Sequence, residues 1–340
     1  MQRALELASL GLGSVSPNPM VGAVIVHDNK IIGEGWHKKY GAPHAEVEAV
    51  KSVANQELLS ESILYVTLEP CSHFGKTPPC ADLLVAHRFK KVMVAMLDPN
   101  PLVAGRGIEK LRSAGIEVEI GLLEHESKRL NKRFLTYFEK KRPYVILKWA
   151  QTADGFIAPS LHSAKSEKQI SNPLSSQLVH KWRSEEDAIM VGMNTLLHDN
   201  PKLNVRLWET TKHPTRITLD EKGIQNFNYH FFDQSVPSIV FNYQKDEKIN
   251  EILFIKISKE NALSEMLTCL QKEGIASILV EGGTALLNRF VEANLWDEAR
   301  VCTSAKTFGT GIQAPVFGGN PDEQFRLEED FWRVYRNPMF

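Results

Sequence analysis

Four residues near the start of the chain carry the side chains needed for zinc-dependent hydrolysis. Glu46 follows His44 at a distance of two residues, and Cys71 follows a proline, with Cys80 further along the chain. Zinc in catalytic sites takes three nitrogen, sulfur or oxygen ligands from the protein and leaves one position for water. We therefore interpret His44, Cys71 and Cys80 as zinc ligands and Glu46 as the residue that moves protons.

This set of residues predicts hydrolytic deamination. Zinc can lower the pKa of a bound water to about 7, so that hydroxide is available at neutral pH. Attack on an amidine-like ring carbon also requires a group that takes a proton from water and delivers it to the ring nitrogen and the departing ammonia. H-x-E followed by P-C-x-x-C is typical of zinc deaminases of nucleobases. The residues around Glu46 match the first part of that signature.

The spacing of the two cysteines differs from the general signature. The segment CSHFGKTPPC places eight residues between Cys71 and Cys80, and it contains His73, Lys76 and Thr77. His73 is a rival ligand, although we favour a position in the loop facing substrate or solvent. The alternative that His44 and the cysteines are buried polar residues without a metal stays open at this point.

The second half of the chain contains a weaker candidate site. The segment SILVEGGTALLNRF is predicted to form a strand, a glycine pair and a helix. Backbone N–H groups at the start of a helix can bind a phosphate, and glycine allows a ligand to approach the backbone closely. A tight turn between strand and helix explains the same residues without a ligand. The chain has no G-x-G-x-x-G, so a Rossmann dinucleotide site is not predicted.

Alternating strand-like and helix-like segments must position the first set of residues. Helices are predicted for MQRALELASLGLG, HAEVEAVKSV, CADLLVAHR and GIEKLRSAG, and one long charged helix for LLEHESKRLNKRFLTYFEKKRP. A hairpin is predicted for MVGAVIVHDNKIIGEGWH, with Asp28-Asn29 at its turn. Further strands are predicted for SILYVTLEP, KKVMVAMLD and IEVEIG. This order indicates a layered α/β domain.

A domain boundary is predicted just before Pro143, where a charged segment gives way to the new strand YVILKWAQT. We place the two domains at residues 1–141 and 142–340. In the second domain, DAIMVG, RITLD, PSIVFN and SILVEGG are predicted strands, and NPLSSQLVHKWRS and TALLNRFVEANL are predicted helices. The aromatic segment NFNYHFFD is predicted to be a surface strand or loop. The second domain is therefore also of mixed α/β type.

The composition is that of an ordinary globular protein. Of the 340 residues, 43% are hydrophobic and 24% are charged, and the formal net charge is −1. This balance gives no reason to expect binding to nucleic acid or to a membrane. Four cysteines are too few for a disulfide-stapled secreted domain, and the start lacks the apolar segment of a signal peptide. We therefore predict a cytoplasmic protein with reduced thiols.

Segments of the first half resemble the RibD family of bifunctional riboflavin-biosynthesis proteins. They are SPNPMVGAVIV, GEGWH, PHAEVEAV, YVTLEPCSHFGKTPPCADLL and DPNPLVAGRGIEKLRSAGIEVEIG. In that family the long spacing between the cysteines is the rule. The resemblance implies a cytidine-deaminase-like α/β/α domain that hydrolyses the 2-amino group of 2,5-diamino-6-(5-phosphoribosylamino)pyrimidin-4(3H)-one. Asn18 would then hold the ring or ribose and Lys76 would meet the phosphate. A turn-stabilising Asn18 and a solvated Lys76 also explain these residues.

The second half resembles the reductase domain of the same family. The matching segments are LKWAQTADGFIA, HKWRSEEDAIMVGMNTLLHDNPKLNVR and ILVEGGTALLNRF. The resemblance implies a dihydrofolate-reductase-like α/β fold, NADPH as cofactor, and reduction of a ribosyl group to ribityl by hydride transfer to the sugar C1′. The residues implied to contact the cofactor are Ala150, Thr195, Asp199, Gly283 and Thr284. The residues implied to contact the substrate are Arg183, Leu203, Arg206 and Glu281. Asp199 is also a candidate for proton handling near the sugar, or a turn residue.

One position departs from the family pattern. The family often has a tryptophan before an Ile-Ser or Ile-Thr pair, whereas this chain has Gln169 in the segment SAKSEKQISNP. We therefore expect a cofactor-stacking contact to be lost or replaced.

Two alternatives to a bifunctional enzyme with a small-molecule substrate stay open. A deaminase of RNA or DNA bases would favour C-x-x-C spacing and a basic, aromatic-rich surface, so the near-neutral charge and the segment CSHFGKTPPC argue against it. Alternatively, the second half is a binding or assembly module without catalysis. The resemblance also implies a homo-oligomer, either a dimer or a tetramer.

Overall fold

The structure of this protein is a computed structural model that describes residues 1–73, 78–100, 104–160, 162–163, 167–223 and 227–338. The chain divides into two compact units, Met1–Lys141 and Arg142–Phe340. No helix in these ranges is long and apolar enough to cross a membrane.

The first unit contains a sheet with the strand order β2-β1-β3-β4-β5. Its strands are β1 Gly22–His27, β2 Lys30–Trp36, β3 Ile63–Val66, β4 Lys91–Val94 and β5 Glu117–Ile120. Its helices are α1 Gln2–Ser9, α2 Ala45–Ser52, α3 Cys80–Ala86, α4 Arg106–Ser113, α5 Glu124–Leu130 and α6 Lys132–Glu139. A short 3₁₀ turn covers Gln56–Glu61. β1 runs antiparallel to β2 and β3, and β3, β4 and β5 are parallel.

The predicted hairpin is confirmed, and it separates two helical layers. Asp28 and Asn29 have φ values of 47° and 60°, as the two central residues of a type I′ turn require. Along β1, Ile25 packs in the same cluster as residues of α2, whereas Val24 packs with residues of α1. Because side chains alternate across a strand, α1 and α2 lie on opposite faces of the sheet.

Glycines in β2 bring α2 unusually close to the sheet. A Cβ atom added to Gly35 would lie 2.3 Å from the Ala49 nitrogen and 2.5 Å from the Ala45 oxygen. Position 35 therefore requires glycine, because any side chain would overlap the backbone of α2. This contact fixes the helix that begins directly after His44.

The prediction of one long helix after residue 121 is wrong, because the helix is broken at Asn131 into α5 and α6. The Asn131 side chain is buried and accepts a hydrogen bond from the Met20 nitrogen at 2.8 Å. It also donates to the Met20 oxygen at 3.0 Å. Asn131 thus satisfies both backbone groups of a residue distant in sequence, and this tertiary pairing outweighs the helical pattern.

The second unit contains a sheet with the strand order β11-β12-β10-β9-β8-β13-β6-β14-β17-β16. Its strands from β6 to β11 are β6 Tyr144–Gln151, β7 Phe156–Ala158, β8 Ala188–Met190, β9 Thr215–Asp220, β10 Ser238–Asn242 and β11 Glu247–Ile249. The later strands are β12 Ile252–Lys256, β13 Ser277–Val280, β14 Glu298–Thr303, β15 Ile312–Gln313, β16 Glu323–Leu327 and β17 Asp330–Arg336. The neighbouring strands β12, β10, β9, β8, β13, β6 and β14 are parallel to one another. At the two edges, β11, β17 and β16 each run antiparallel to the strand before them or beside them in the sheet, and β15 pairs separately with β7.

Helices cover both faces of this sheet. They are α7 Pro173–Glu185, α8 Met193–Asp199, α9 Ala262–Lys272 and α10 Thr284–Glu292. α9 and α10 pack in one apolar cluster with Leu147 of β6, whereas α7 packs against Ala150 on the other face of that strand. Asn172 caps α7 by accepting a hydrogen bond from the Ser175 nitrogen at 2.8 Å.

The prediction that NFNYHFFD lies on the surface is wrong for its last aromatic residues. Phe231 and Phe232 form part of a 3₁₀ turn and are buried in a cluster with residues of β8, β10 and β12. Arg216, itself buried, fixes this turn by donating to the backbone oxygen of His230 at 2.6 Å and to the carboxylate of Asp233 at 2.7 Å. Phe231 and Phe232 therefore belong to the core, whereas Phe227 is exposed.

Candidate active sites

The N-terminal ends of two helices position two of the three predicted zinc ligands of the first unit. His44 is the residue before α2, and Cys80 is the first residue of α3. Cys71 lies in the segment after β3, directly after Pro70. The positive end of the helix dipole stabilises thiolate, so the start of α3 suits a cysteine ligand.

The donor atoms of these ligands have the spacing of a tetrahedral zinc site. His44 Nδ1 lies 3.5 Å from Cys71 Sγ and 3.3 Å from Cys80 Sγ, and the three ligand atoms all lie within 4.8 Å of one another. Tetrahedral zinc with its usual bond lengths separates nitrogen and sulfur ligands by about 3.6 Å. The three residues therefore fit zinc.

Glu46 lies beside the ligands and is almost completely buried, with 3% of its surface exposed. Burial raises the pKa of Glu46 to about 7, and the neighbouring Cys71 thiolate adds to the rise. A carboxyl group of that pKa can both take up and release a proton near neutral pH.

His44, Cys71 and Glu46 line one cavity of about 290 Å³, and Cys80 is buried behind them. Its wall also includes Asn18, His37, Glu69, His73, Asp98, Asn100, Phe134 and Phe138. Burial raises the pKa of Asp98 to about 6. The cavity thus joins a polar wall to the aromatic side of α6. Lys76 lies outside the described residues.

Asn18 is held in this cavity by His37. His37 Nδ1 lies 3.1 Å from the Pro43 oxygen, and His37 Nε2 lies 3.2 Å from Asn18 Nδ2. Because a carbonyl oxygen only accepts, Nδ1 carries the proton and Nε2 accepts from the Asn18 amide. Burial lowers the pKa of His37, which favours this neutral form. The pairing fixes the orientation of the Asn18 amide.

In the second unit, Arg183 and Glu281 form an ion pair with two hydrogen bonds, and their side chains are 12% and 11% exposed. Arg183 Nε and Nη2 donate to the two Glu281 oxygens at 2.7 and 2.8 Å. Burial opposes ionisation of Glu281, but Arg183 and Lys148 outweigh it and lower its pKa to about 2. The structure thus brings together two predicted substrate residues that are far apart in the sequence.

The other two predicted substrate residues lie on one loop. The Arg206 backbone nitrogen donates to His180 Nδ1 at 2.9 Å, and its side chain donates to Asn204 Oδ1 at 2.6 Å. Burial and the positive charges of Arg183 and Arg206 lower the pKa of His180 to about 4, so His180 stays neutral and accepts. Leu203 is 2% exposed and packs in an apolar cluster, so its side chain offers little surface to a ligand.

The predicted cofactor residues fall into two groups. Gly283 precedes α10, and a Cβ added to it would lie 3.6 Å from Thr195 Oγ1 of α8, so Thr195, Gly283 and Thr284 lie close together. Thr284 donates to the Gln313 oxygen. Asp199 instead pairs with Lys168 at 2.6 Å.

Two further positions in this unit bear on cofactor binding. Ala150 pairs across the sheet with Cys302 and packs with α7. Gln169 lines a second cavity of about 850 Å³, together with Asn172, Gln177, Lys306 and Asp330. Lys306 Nζ donates to the backbone oxygen of Gln169 at 2.7 Å, and the Gln169 side-chain amide donates to the Ser171 backbone oxygen at 2.8 Å.

Comparison with known proteins accounts for both units. The family model "Cytidine and deoxycytidylate deaminase zinc-binding region" matches residues 1–96, and the model "RibD C-terminal domain" matches residues 143–339. The riboflavin biosynthesis protein RibD of Aquifex aeolicus is 41% identical over 94% of this chain and 89% of its own length. That of Escherichia coli is 37% identical over 91% of this chain and 88% of its own length. This chain belongs to the RibD family.

Solved structures agree with the RibD assignment along the whole chain. A diaminohydroxyphosphoribosylaminopyrimidine deaminase/5-amino-6-(5-phosphoribosylamino)uracil reductase from Thermotoga maritima has a TM-score of 0.88 at 38% identity and covers 99% of this chain and 97% of its own. Acinetobacter baumannii RibD has a TM-score of 0.87 at 34% identity and covers 98% of this chain and 97% of its own. The predicted deaminase and reductase folds are confirmed. The chain is a bifunctional riboflavin-biosynthesis enzyme that acts on a small-molecule substrate and uses zinc and NADPH.

Sequence reasoning missed several residues that the RibD fold brings to these sites. In the first unit, His37, Glu69 and Asp98 line the cavity. They lie in the segments GEGWH, TLEPC and DPNP, which carried the resemblance but were given no roles. In the second unit, His180 and Lys168 contact predicted site residues. Their only sequence signal is that they lie in the segments HKWR and SEKQ, beside residues with predicted roles.

Proposed function

We propose that this chain catalyses two successive steps on a phosphoribosylaminopyrimidine. The first unit hydrolyses the 2-amino group of 2,5-diamino-6-(5-phosphoribosylamino)pyrimidin-4(3H)-one and releases ammonia. The second unit reduces the ribosyl group of the product, giving 5-amino-6-(5-phosphoribitylamino)uracil. The observation that carries the proposal is the grouping of the His44, Cys71 and Cys80 ligand atoms beside a cavity that buried Glu46 also lines.

In the deaminase step, His44, Cys71 and Cys80 hold zinc, which supplies Lewis-acid activation of water at neutral pH. Glu46 takes one proton from the attacking water and delivers it to the ring nitrogen, and it then carries the remaining hydroxyl proton to the departing amine as the C=O bond forms. One C–O bond forms, one C–N bond breaks, and ammonia leaves. The pKa of Glu46, raised to about 7 by burial, suits both transfers.

The remaining wall of the cavity binds the substrate. The Asn18 amide, oriented by His37, faces the ring or the ribose. Lys76, in the segment between the cysteine ligands, meets the phosphate. The aromatic side chains of Phe134 and Phe138 exclude water from one side of the cavity.

In the reductase step, NADPH supplies the reducing equivalents. Thr195, Gly283 and Thr284 suit its phosphates, because the glycine leaves room for backbone contact at the start of α10. Ala150 and Asp199 complete the cofactor contacts, with Asp199 handling a proton near the sugar. The substrate is held by Arg183, Arg206, Glu281 and the backbone of Leu203. Of these, Arg206 suits the phosphate, since arginine pairs well with phosphate and Arg183 is already paired with Glu281. We also propose a homo-oligomer that works in the cytoplasm, from the family resemblance.

The test supplies the diaminopyrimidine ribotide to the purified, zinc-loaded chain, with and without NADPH. Ammonia release and NADPH oxidation are followed in the same tube. The proposal predicts ammonia without NADPH, and NADPH consumption only after deamination. Ammonia without any NADPH consumption would contradict the reductase half. A zinc-loaded chain that releases no ammonia would contradict the substrate, and nucleobases in single-stranded nucleic acid would be tested next.

A further inference from the structure

Glu69 makes an unusual set of contacts next to the zinc ligands. It lies two residues before Cys71 and is buried, with 3% of its surface exposed. Its carboxylate accepts hydrogen bonds from four backbone nitrogens: Oε2 from Asp98 at 3.3 Å and Gly105 at 3.0 Å, and Oε1 from Gly107 at 3.0 Å and Ile108 at 3.4 Å.

These contacts make Glu69 the cap of α4. The residue before α4, Gly105, has a φ of 77° and makes no side-chain cap of its own. The first backbone N–H groups of a helix have no partner inside the helix, and a negative charge there is favourable. A carboxylate from a distant strand end therefore satisfies the N-terminus of α4.

The same helix start is packed directly against the turn before Cys71. A Cβ added to Gly107 would lie 2.0 Å from the Pro70 oxygen, so only glycine permits this approach. The peptide that leads into the zinc ligand is thus held at the start of α4 twice, by the close packing of Pro70 on Gly107 and by the hydrogen bonds of Glu69.

Glu69 also holds the wall of the substrate cavity. The Asp98 backbone nitrogen is one of its four donors, and the Asp98 carboxylate in turn accepts from the Asn100 nitrogen at 2.8 Å. Asp98 and Asn100 both line the cavity. One carboxylate thereby ties the segment carrying a zinc ligand to the segment that faces the substrate.

We propose that Glu69 is a positioning residue of the deaminase site, which fixes Cys71 relative to the Asp98 wall of the cavity. The inference rests on the proposed deaminase function. It requires that loss of the Glu69 carboxylate weakens zinc retention and substrate binding together, without effect on the reductase.

The decisive variant is Glu69→Gln, in which the remaining oxygen can accept from one pair of nitrogens while the new NH₂ group faces the other pair. The matched control is Glu61→Gln, an exposed position in the same unit. We expect zinc transfer to a chromogenic chelator to become about 10- to 100-fold faster in Glu69→Gln. We also expect kcat for ammonia release to fall and KM to rise, each by about 10-fold or more. Reduction of the deaminated intermediate should match the control.

Like zinc transfer, two further measurements do not depend on enzyme activity. The d–d absorption of the cobalt-substituted protein should change in Glu69→Gln, because the ligand geometry relaxes. Hydrogen exchange in the peptide covering residues 104–110 should accelerate. Glu69→Asp keeps the charge but retracts it by one methylene, so it should also make zinc transfer faster. This variant serves as the test if Glu69→Gln does not fold.

A purely structural role predicts a lower Tm with kcat, KM, zinc transfer and the cobalt spectrum all within twofold of the control, and that result would overturn the proposal. If the wild-type chain releases no ammonia from the ribotide, the proposed substrate fails. Zinc transfer and the cobalt spectrum still decide the role of Glu69 in that case.

Discussion

Replacing Gly35 with alanine tests how the fold positions the deaminase site. A Cβ at this position would lie 2.3 Å from the Ala49 nitrogen of α2, whereas ordinary contact begins at 3.4 Å. The atoms in the way belong to a helix backbone, so no flexible side chain can yield. The helix must move away from β2 by about 1 Å, carrying His44 and Glu46 with it.

The expected cost has two parts. Overpacking of this kind destabilises a core by about 1–3 kcal/mol. A displacement of about 1 Å in a catalytic group can cost about 100-fold in rate. Gly35→Ala should therefore lower kcat for ammonia release by about 100-fold while the protein stays folded.

The assay measures ammonia release per bound zinc, beside reduction of the deaminated intermediate as an internal control. Gly318→Ala is the matched variant, since a Cβ there would have nothing within 4 Å. Reduction should be unchanged in both variants. Ammonia release by Gly35→Ala within threefold of Gly318→Ala would refute the argument that α2 is fixed by this contact.

Three further predictions concern the ion pair, the cofactor and the metal. Glu281→Gln should destabilise the second unit by about 3–5 kcal/mol at pH 7, because it leaves Arg183 buried without its partner. Since the pKa of Glu281 is lowered to about 2, this difference in unfolding free energy should be full above about pH 4.5 and shrink as the pH falls toward 2 in a denaturant titration series. Gln169→Trp should lower the KM for NADPH by about 5-fold or more through aromatic stacking; an unchanged KM would show that the side chain at position 169 does not stack on the cofactor. Removal of zinc by a chelator should abolish ammonia release and leave reduction within twofold, and a parallel loss of both activities would argue against independent sites.

The zinc constellation was predictable because its information is local. His44 and Glu46 lie two residues apart at the start of one helix, and Cys71 and Cys80 lie nine residues apart in the sequence. The hairpin at Asp28-Asn29 was predictable for the same reason, since its turn chemistry lies in two adjacent residues. Such features need no knowledge of which distant segments meet.

The features that were missed depend on contacts between distant segments. The break between α5 and α6 follows from the pairing of Asn131 with Met20, which no periodicity in the helix reveals. The Arg183–Glu281 pair joins a helix to a strand end. Glu69 reads in the sequence as an ordinary acidic residue before Pro70, and only the fold brings four backbone nitrogens to it. The buried Phe231 and Phe232 likewise require the sheet against which they pack.

If Glu46 moves the protons of the deamination, its loss should stop ammonia release and leave the reductase intact. The decisive comparison is between wild type and Glu46→Gln, both loaded with zinc, for ammonia release from the diaminopyrimidine ribotide and for NADPH oxidation with the deaminated intermediate. We expect ammonia release to fall by about 100-fold to 10,000-fold, while zinc content and NADPH oxidation match wild type. Ammonia release near the wild-type rate, or an equal loss of both activities, would contradict this role of Glu46.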